Sequence, residues 1–217
     1  MPADRRRGHA GAVTELPMFP LGSVLLPGGD LSLRIFESRY RVMIAQILAG
    51  DGRFGVVLIE RGSEVGGGEV RTNVGTVAQV RGHVRHPDGQ YTLSCRGTER
   101  IRVARWLDDD PFPRAMVEPW PDLPQGPVDP QPLLRTQDRL EELIGELARR
   151  QGGRLLPPPS LTLPADPTEL SYLLARELPI TEADRHHALT APGPADRMLL
   201  LERAVDDVIA SLQFRLQ

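Results

Sequence analysis

Apolar positions change their period along the 217-residue chain. Up to Ile35 they come in short pieces, Val13–Phe19, Val24–Leu26 and Leu31–Ile35, parted by Pro20, Gly22, Pro27, Gly28 and Gly29. Short strands joined by tight turns give that pattern. Phe36, Tyr40, Met43, Ile44 and Ile47 then recur at helical spacing, which predicts an amphipathic helix between Phe36 and Leu48, stopped by Gly50 and Gly52. Phe54–Glu60 is a nearly continuous apolar run, suited to a buried strand. In Val70–Val84 the even positions Val70, Val74, Ala78, Val80 and Val84 oppose Arg71, Asn73, Gln79, Arg81 and His83. After a turn at Pro87, Asp88 and Gly89, the residues Tyr91, Leu93 and Cys95 share one face of a strand. Ile101 and Val103 continue a second segment past Gly97, and Arg114–Glu118 reads as the last strand. Such a succession of strands leaves unpaired edges unless it closes on itself, so a small barrel with one helix is the simplest arrangement.

Pro119, Pro121, Pro124, Pro127, Pro130 and Pro132 then interrupt regular hydrogen bonding, and the period beyond them is helical. Leu140, Leu143, Ile144 and Leu147 mark one stripe, and a proline-rich break runs from Pro157 to Pro167. Asp166, Pro167 and Glu169 supply an N-cap, a first-turn proline and a capping-box acid for a helix carrying Leu170, Leu173 and Leu174. Thr181 and Asp184 repeat the capping pattern, and Pro194 opens a longer helix through Met198, Leu201, Val205, Val208 and Leu212. The fold class is α+β: residues 1–12 a disordered leader, 13–118 a β-rich subdomain, 119–134 a proline-rich linker and 135–217 a helical bundle.

Composition narrows the chemistry. All 26 basic side chains are arginine, and there is no lysine. Walker-type ATPase loops, Schiff-base enzymes and Ser-Lys proteases each need one, so these classes are excluded. A single cysteine, Cys95, rules out an internal disulfide framework and fits a reducing cytoplasmic setting. Arg5, Arg6 and Arg7 are not followed by the apolar stretch of a secretory signal, and no segment approaches the length of a membrane-spanning helix. Gly66, Gly67 and Gly68 lack the spacing of a phosphate loop. His9, His83, His86, His186 and His187 form no metal-ligand pattern. Ser94, His83 and Asp88 lie near one hairpin without a reason to share a pocket, so they read as ordinary polar residues. No cofactor, metal or catalytic group is expected.

Two segments carry a family resemblance. Leu16, Pro17, Met18, Phe19, Pro20 and Leu21, then Leu26 and Pro27, then Leu31, Leu33, Arg34, Ile35, Phe36, Glu37, Arg39, Tyr40, Arg41 and Met43 form the first; Glu177, Leu178, Pro179, Ala191, Pro192 and Ala195 form the second. Together they resemble the N-terminal substrate-recognition domain of Lon ATP-dependent proteases, and in particular its stand-alone bacterial members. The resemblance spans about residues 13–212. It implies a PUA-like β pseudo-barrel with one long helix, followed by a helical subdomain, and a non-enzymatic protein-binding role in protein quality control. The chain ends at Gln217, so the ATPase and protease modules of full-length Lon are not expected.

Binding an unfolded or extended polypeptide needs adaptable apolar surface, for which Met18, Phe19, Phe36, Tyr40, Trp106, Phe112 and Trp120 are the candidates. Arg34, Glu37 and Arg41 have the spacing of an ion-pair network that would anchor the helix. Between Arg71 and Arg105 seven arginines, Arg71, Arg81, Arg85, Arg96, Arg100, Arg102 and Arg105, face only Asp88 and Glu99. A positive patch there would attract an acidic ligand or RNA, the secondary expectation for a PUA-like fold. Self-association is a further expectation, and no membrane partner is expected.

Overall fold

The structure is a computed structural model; it describes residues 12–62, 68–150 and 162–216. The expected leader up to residue 11, the glycines Gly66 and Gly67 and the start of the expected proline-rich break lie outside the described residues. Two compact units divide the chain, one up to Pro121 and one from Asp122.

The first unit is built from β1 (Thr14–Leu21), β2 (Asp30–Ile35), α1 (Ser38–Ala49), β3 (Arg53–Arg61), β4 (Val70–Arg85), β5 (Tyr91–Trp106) and β6 (Arg114–Pro119). One mixed sheet holds all six strands in the order β2-β5-β4-β3-β1-β6, and a further β5–β6 pairing joins the sheet back on itself. The result is a closed ring of five strands, with β2 added on β5. Among the described strands only β1 and β3 run parallel, which requires the long β2–α1 connection between them. Closure pairs the backbone groups that an open sheet would leave at its edges.

Local chemistry explains the departures from simple alternation. β4 shifts register between Thr76 and Ala78 and between Val80 and Gly82. Val77 and Ala78 are therefore both buried, whereas Val70 and Val84 at the strand ends are exposed. β5 is one continuous strand through Gly97. A Cβ on Gly97 would stand 2.4 Å from the carbonyl oxygen of Leu26, so glycine is what lets the 22–29 segment cross close to the sheet. That segment is a loop, not the short strand expected at Val24–Leu26. Gly28 N–H donates to Gly97 O and Gly97 N–H to Gly29 O, fixing it while Leu25 and Leu26 point into the core.

Two apolar clusters result. Met18, Val57, Val77, Ile101, Ala115 and Val117 fill one. The other contains Phe19, Phe54, Met43, Ile44, Ile47 and Leu93 and seats α1. Phe19 anchors it with ring centroids 4.3 Å from Tyr40 and 6.2 Å from Phe54. Each such ring contributes about 1.5–3 kcal/mol through burial.

The second unit holds α2 (Gln131–Arg150), α3 (Pro167–Glu177), α4 (Glu182–Thr190) and α5 (Pro194–Leu216). The α5 helix is the hub, packing against each of the other three. Asp166 accepts the Glu169 N–H at 2.8 Å as the N-cap of α3. Thr181 and Asp184 form a full capping box at α4, as their spacing predicts. The preceding stretch is tied to this unit, with Leu123 N–H donating to Pro192 O and Gln125 bonding both Asp196 and the Ala195 N–H. Among the described residues no helix is long and apolar enough to cross a membrane.

Candidate functional site

At the end of β2 the chain must leave the sheet and enter α1. Glu37 makes that turn in extended geometry, φ −66° and ψ 138°, and serves as N-cap residue without a side-chain cap bond. Its carboxylate instead accepts from Arg39 Nε at 3.2 Å, and the Arg39 guanidinium lies over the Tyr40 ring, 4.5 Å from its centroid. The turn leaves Phe36 outward, 52% exposed, between the buried Ile35 and Tyr40. Beside it is a cavity of about 180 Å³ whose lining includes Phe19, Leu33, Ile35, Phe36, Glu37 and Tyr40. Burial pushes the Tyr40 phenol up to about 12, against the opposing pull of Arg39.

The structure thus brings three of the seven aromatic and methionine candidates, Phe19, Phe36 and Tyr40, to one cavity. Phe36 is the one that offers open surface. Met18, Phe19, Tyr40 and Phe112 are core residues. Trp106 is half-buried, its indole N–H donating to Asn73 Oδ1 at 3.0 Å and its ring beneath Arg71. Trp120 lies under Arg100 and Arg102, at 4.3 and 5.5 Å. A sequence pattern marks large apolar residues but cannot say which half of them the core consumes.

The expected Arg34–Glu37–Arg41 network is replaced by other pairings among the described residues. Arg34 is still in β2, where its Nε donates to Gln90 Oε1 at 3.2 Å. Glu37 pairs with Arg39. Arg41 Nη2 stands 2.2 Å from where a Cβ on Gly89 would be, packed against the β4–β5 turn. The helix begins only at Ser38, so helical spacing does not apply across residues 34–41.

The arginine-rich strands are also less bare than their sequence window. Arg71 pairs with Glu69 and Asp109, Arg96 with Asp30 and Arg102 with Glu118. Burial works to lower the Arg71 pKa, but its hydrogen bonds to Asp109 and Glu69 outweigh this and raise it. Arg100 Nε donates to Trp120 O at 2.8 Å. Arg81, Arg85 and Arg105 are exposed.

A second concavity lies within the helical unit, where no candidate had been placed. Its volume is about 410 Å³, and Leu134, Leu140, Ile144, Leu163, Leu174 and Pro179 supply its apolar lining. Asp138, Glu141 and Glu177 are its charged lining residues. The sequence signal for it was the width of the apolar stripe on α2. Leu133 and Leu140 are buried, while Leu134 and Ile144 stand beside them only partly covered.

This geometry has counterparts of known kind. Residues 15–206 match the model of the ATP-dependent protease La (LON) substrate-binding domain. The chain belongs to this family. As a Lon substrate-binding domain it carries the non-catalytic part of that protein class, in keeping with a sequence that holds no lysine for a Walker loop or a Ser-Lys dyad. It is 28% identical over 99% of its length to the Lon protease of Desulfovibrio desulfuricans, and 26% identical over 86% to a LON peptidase N-terminal domain and RING finger protein of Schizosaccharomyces pombe. The matches span only 25% and 44% of those relatives. Among solved structures, the Lon N-terminal domain protein from Xanthomonas campestris superposes with a TM-score of 0.63 at 28% identity, covering 87% of this chain and 96% of that one. The N-terminal domain of the Mycobacterium avium complex Lon protease shares the fold, with a TM-score of 0.53 at 16% identity, over 89% of this chain and 99% of that one.

Proposed function

We propose that this Lon-type domain is a binding module for unfolded or exposed polypeptide segments, serving as an adaptor in cytoplasmic protein quality control, and that its strand ring is a PUA-like pseudo-barrel. The observation that carries the reading is Phe36. A phenylalanine 52% exposed beside a cavity, inside the segment with the strongest family resemblance, is surface that folding did not use. Such a ring can bury against the side chains of an extended partner without exact shape matching. Beside it the buried Phe19 and Tyr40 give the cavity a fixed floor, which needs little ordering on binding.

The test is the binding of fluorescein-labelled, reduced and carboxymethylated lactalbumin, a permanently unfolded chain, followed by anisotropy. Phe36→Ser should weaken binding about tenfold, the effect of losing most of one buried aromatic ring. Its melting temperature should stay close to that of the parent. Val84→Ser, which removes an equally exposed apolar residue elsewhere, should leave binding unchanged. Equal affinity of the Phe36→Ser and parent proteins would overturn this site.

A further inference from the structure

The groove of the helical unit has a composition that selects its occupant. It follows α2 from Leu134 to Ile144, about 15 Å at the rise of an α-helix. That length accommodates about four or five residues of extended chain. Leu140 and Leu174 are buried in its floor, whereas Leu163 is 40% exposed. Among the described residues its acidic lining meets no cation: Asp138 and Glu177 are exposed, and Glu141 accepts from a neutral partner, Gln137 Nε2 at 2.9 Å. Among the described residues no arginine lines it. Three arginines of this unit are paired with other acids, Arg139 with Asp206, Arg150 with Glu146 and Arg185 with Glu182. Glu177 and Pro179 belong to the second segment of family resemblance, which the cavity at Phe36 leaves unused.

We propose that this groove receives a short apolar peptide segment flanked by arginine or lysine. The apolar floor takes the central side chains, and the carboxylates of Asp138, Glu141 and Glu177 meet the flanking cations. The same carboxylates repel nucleic-acid phosphates and anionic lipid headgroups, so neither is the occupant. The proposal rests on the polypeptide-binding reading for its partner class, but on a different surface and with a charge preference that the first site does not require.

Two labelled peptides decide it, with the same four apolar residues at the centre and with two arginines or two aspartates at each end. The full chain should bind the arginine-flanked peptide about tenfold more tightly at low salt, the sum of a few exposed charge pairs. The difference should shrink as ionic strength rises. Asp138→Arg combined with Glu141→Arg should reverse the order of the two peptides, and Leu163→Ser should weaken both alike. Phe36→Ser should leave the charge preference intact while weakening the unfolded lactalbumin. Equal binding of the two peptides, or a preference the double variant does not alter, overturns the groove proposal without touching the Phe36 reading. Two other results also overturn it: a dimer in sedimentation that Asp138→Arg abolishes, which gives the face to a second copy, and tighter peptide binding once residues 151–161 are replaced by a Gly-Ser linker, which gives it to that segment. Loss of lactalbumin binding in neither set of variants removes the Phe36 reading alone.

Discussion

A guanidinium withdrawn from water must have each of its donors met, or the burial costs several kcal/mol. Arg197, with no exposed surface, meets that demand in full. Its Nε donates to Ala188 O, Nη1 to Asp122 and Ser171, and Nη2 to Asp122 and Tyr172, at 2.7 to 3.1 Å. The group also lies over the Tyr172 ring, 3.7 Å from the centroid. Replacing it by a residue of similar volume, Arg197→Met, leaves the Asp122 carboxylate nearly buried without its cation. The expected loss is about 3–5 kcal/mol, read as a lower urea midpoint for the helical unit. Adding Asp122→Asn to that variant should recover part of the loss, because the stranded charge is then gone. A loss below about 1 kcal/mol would show the pair to be dispensable.

Two other buried groups set the response to alkali. Burial raises the Tyr40 phenol from 10.0 to about 12 and the Cys95 thiol from 9.0 to about 11. In the unfolded chain both lose their protons at lower pH than in the native state, so over that range the unfolded state binds fewer protons and stability falls as pH rises. Their contribution is therefore complete below the unfolded values and is lost progressively between about pH 9 and pH 12. Urea midpoints measured across that range should decline. Cys95→Ala should remove the part of the decline that begins near pH 9, and Tyr40→Phe the part that begins near pH 10. A flat profile in the parent protein would contradict the assignment of both groups to the core.

At the scale of elements, the ring of strands depends on close backbone approach at one position of β4. Gly75 pairs with both Val57 and Ile101, and a Cβ there would stand 2.1 Å from the carbonyl oxygen of Val56. Gly75→Ala must push β3 away and should cost about 1–3 kcal/mol. Gly82→Ala, farther along the same strand with nothing within 4 Å of the new methyl, should be nearly neutral. Thermal melts of the two variants check this, and equal melting temperatures would deny the crowding at β3. The sequence could announce neither glycine's role, because the neighbours that crowd Gly75 come from other strands. The same limit explains what else was hidden. Helix caps such as Asp166 and the Thr181–Asp184 box were legible, since the atoms that satisfy them lie within three residues. Strands β1, β3 and β6 were legible from their apolar runs. The register shifts in β4 were not, and they decide that Val84 is exposed while Val77 is buried. The groove of the helical unit was hidden for a like reason, since Ile144 and Leu174 come to line one cavity only after α2 and α3 have both packed on α5.

For the molecule as a whole, the decisive long-range quantity is how far folding neutralises its arginines. Within residues 71–105 the seven arginines meet only two acids, a pattern that promises affinity for polyanions. Folding brings Asp30, Glu69, Asp109 and Glu118 from outside that window onto three of them, Arg96, Arg71 and Arg102. Arg100 lies over the Trp120 ring and donates to the Trp120 carbonyl oxygen. Arg81, Arg85 and Arg105 are left exposed on the strands. A single-stranded polyanion that engages only these three would release few counterions, so the log–log slope of affinity against salt should be no steeper than about −2. Trp106 and Trp120 are half-buried beneath arginines, so they add little stacking to that term. Binding of labelled poly-U, titrated at several salt concentrations, should therefore be weak and largely gone at physiological ionic strength. A slope near −5 would mean that all seven arginines reach phosphate, that the ion pairs to Asp30, Glu69, Asp109 and Glu118 open on contact, and that RNA and not polypeptide is the ligand of the β-rich unit.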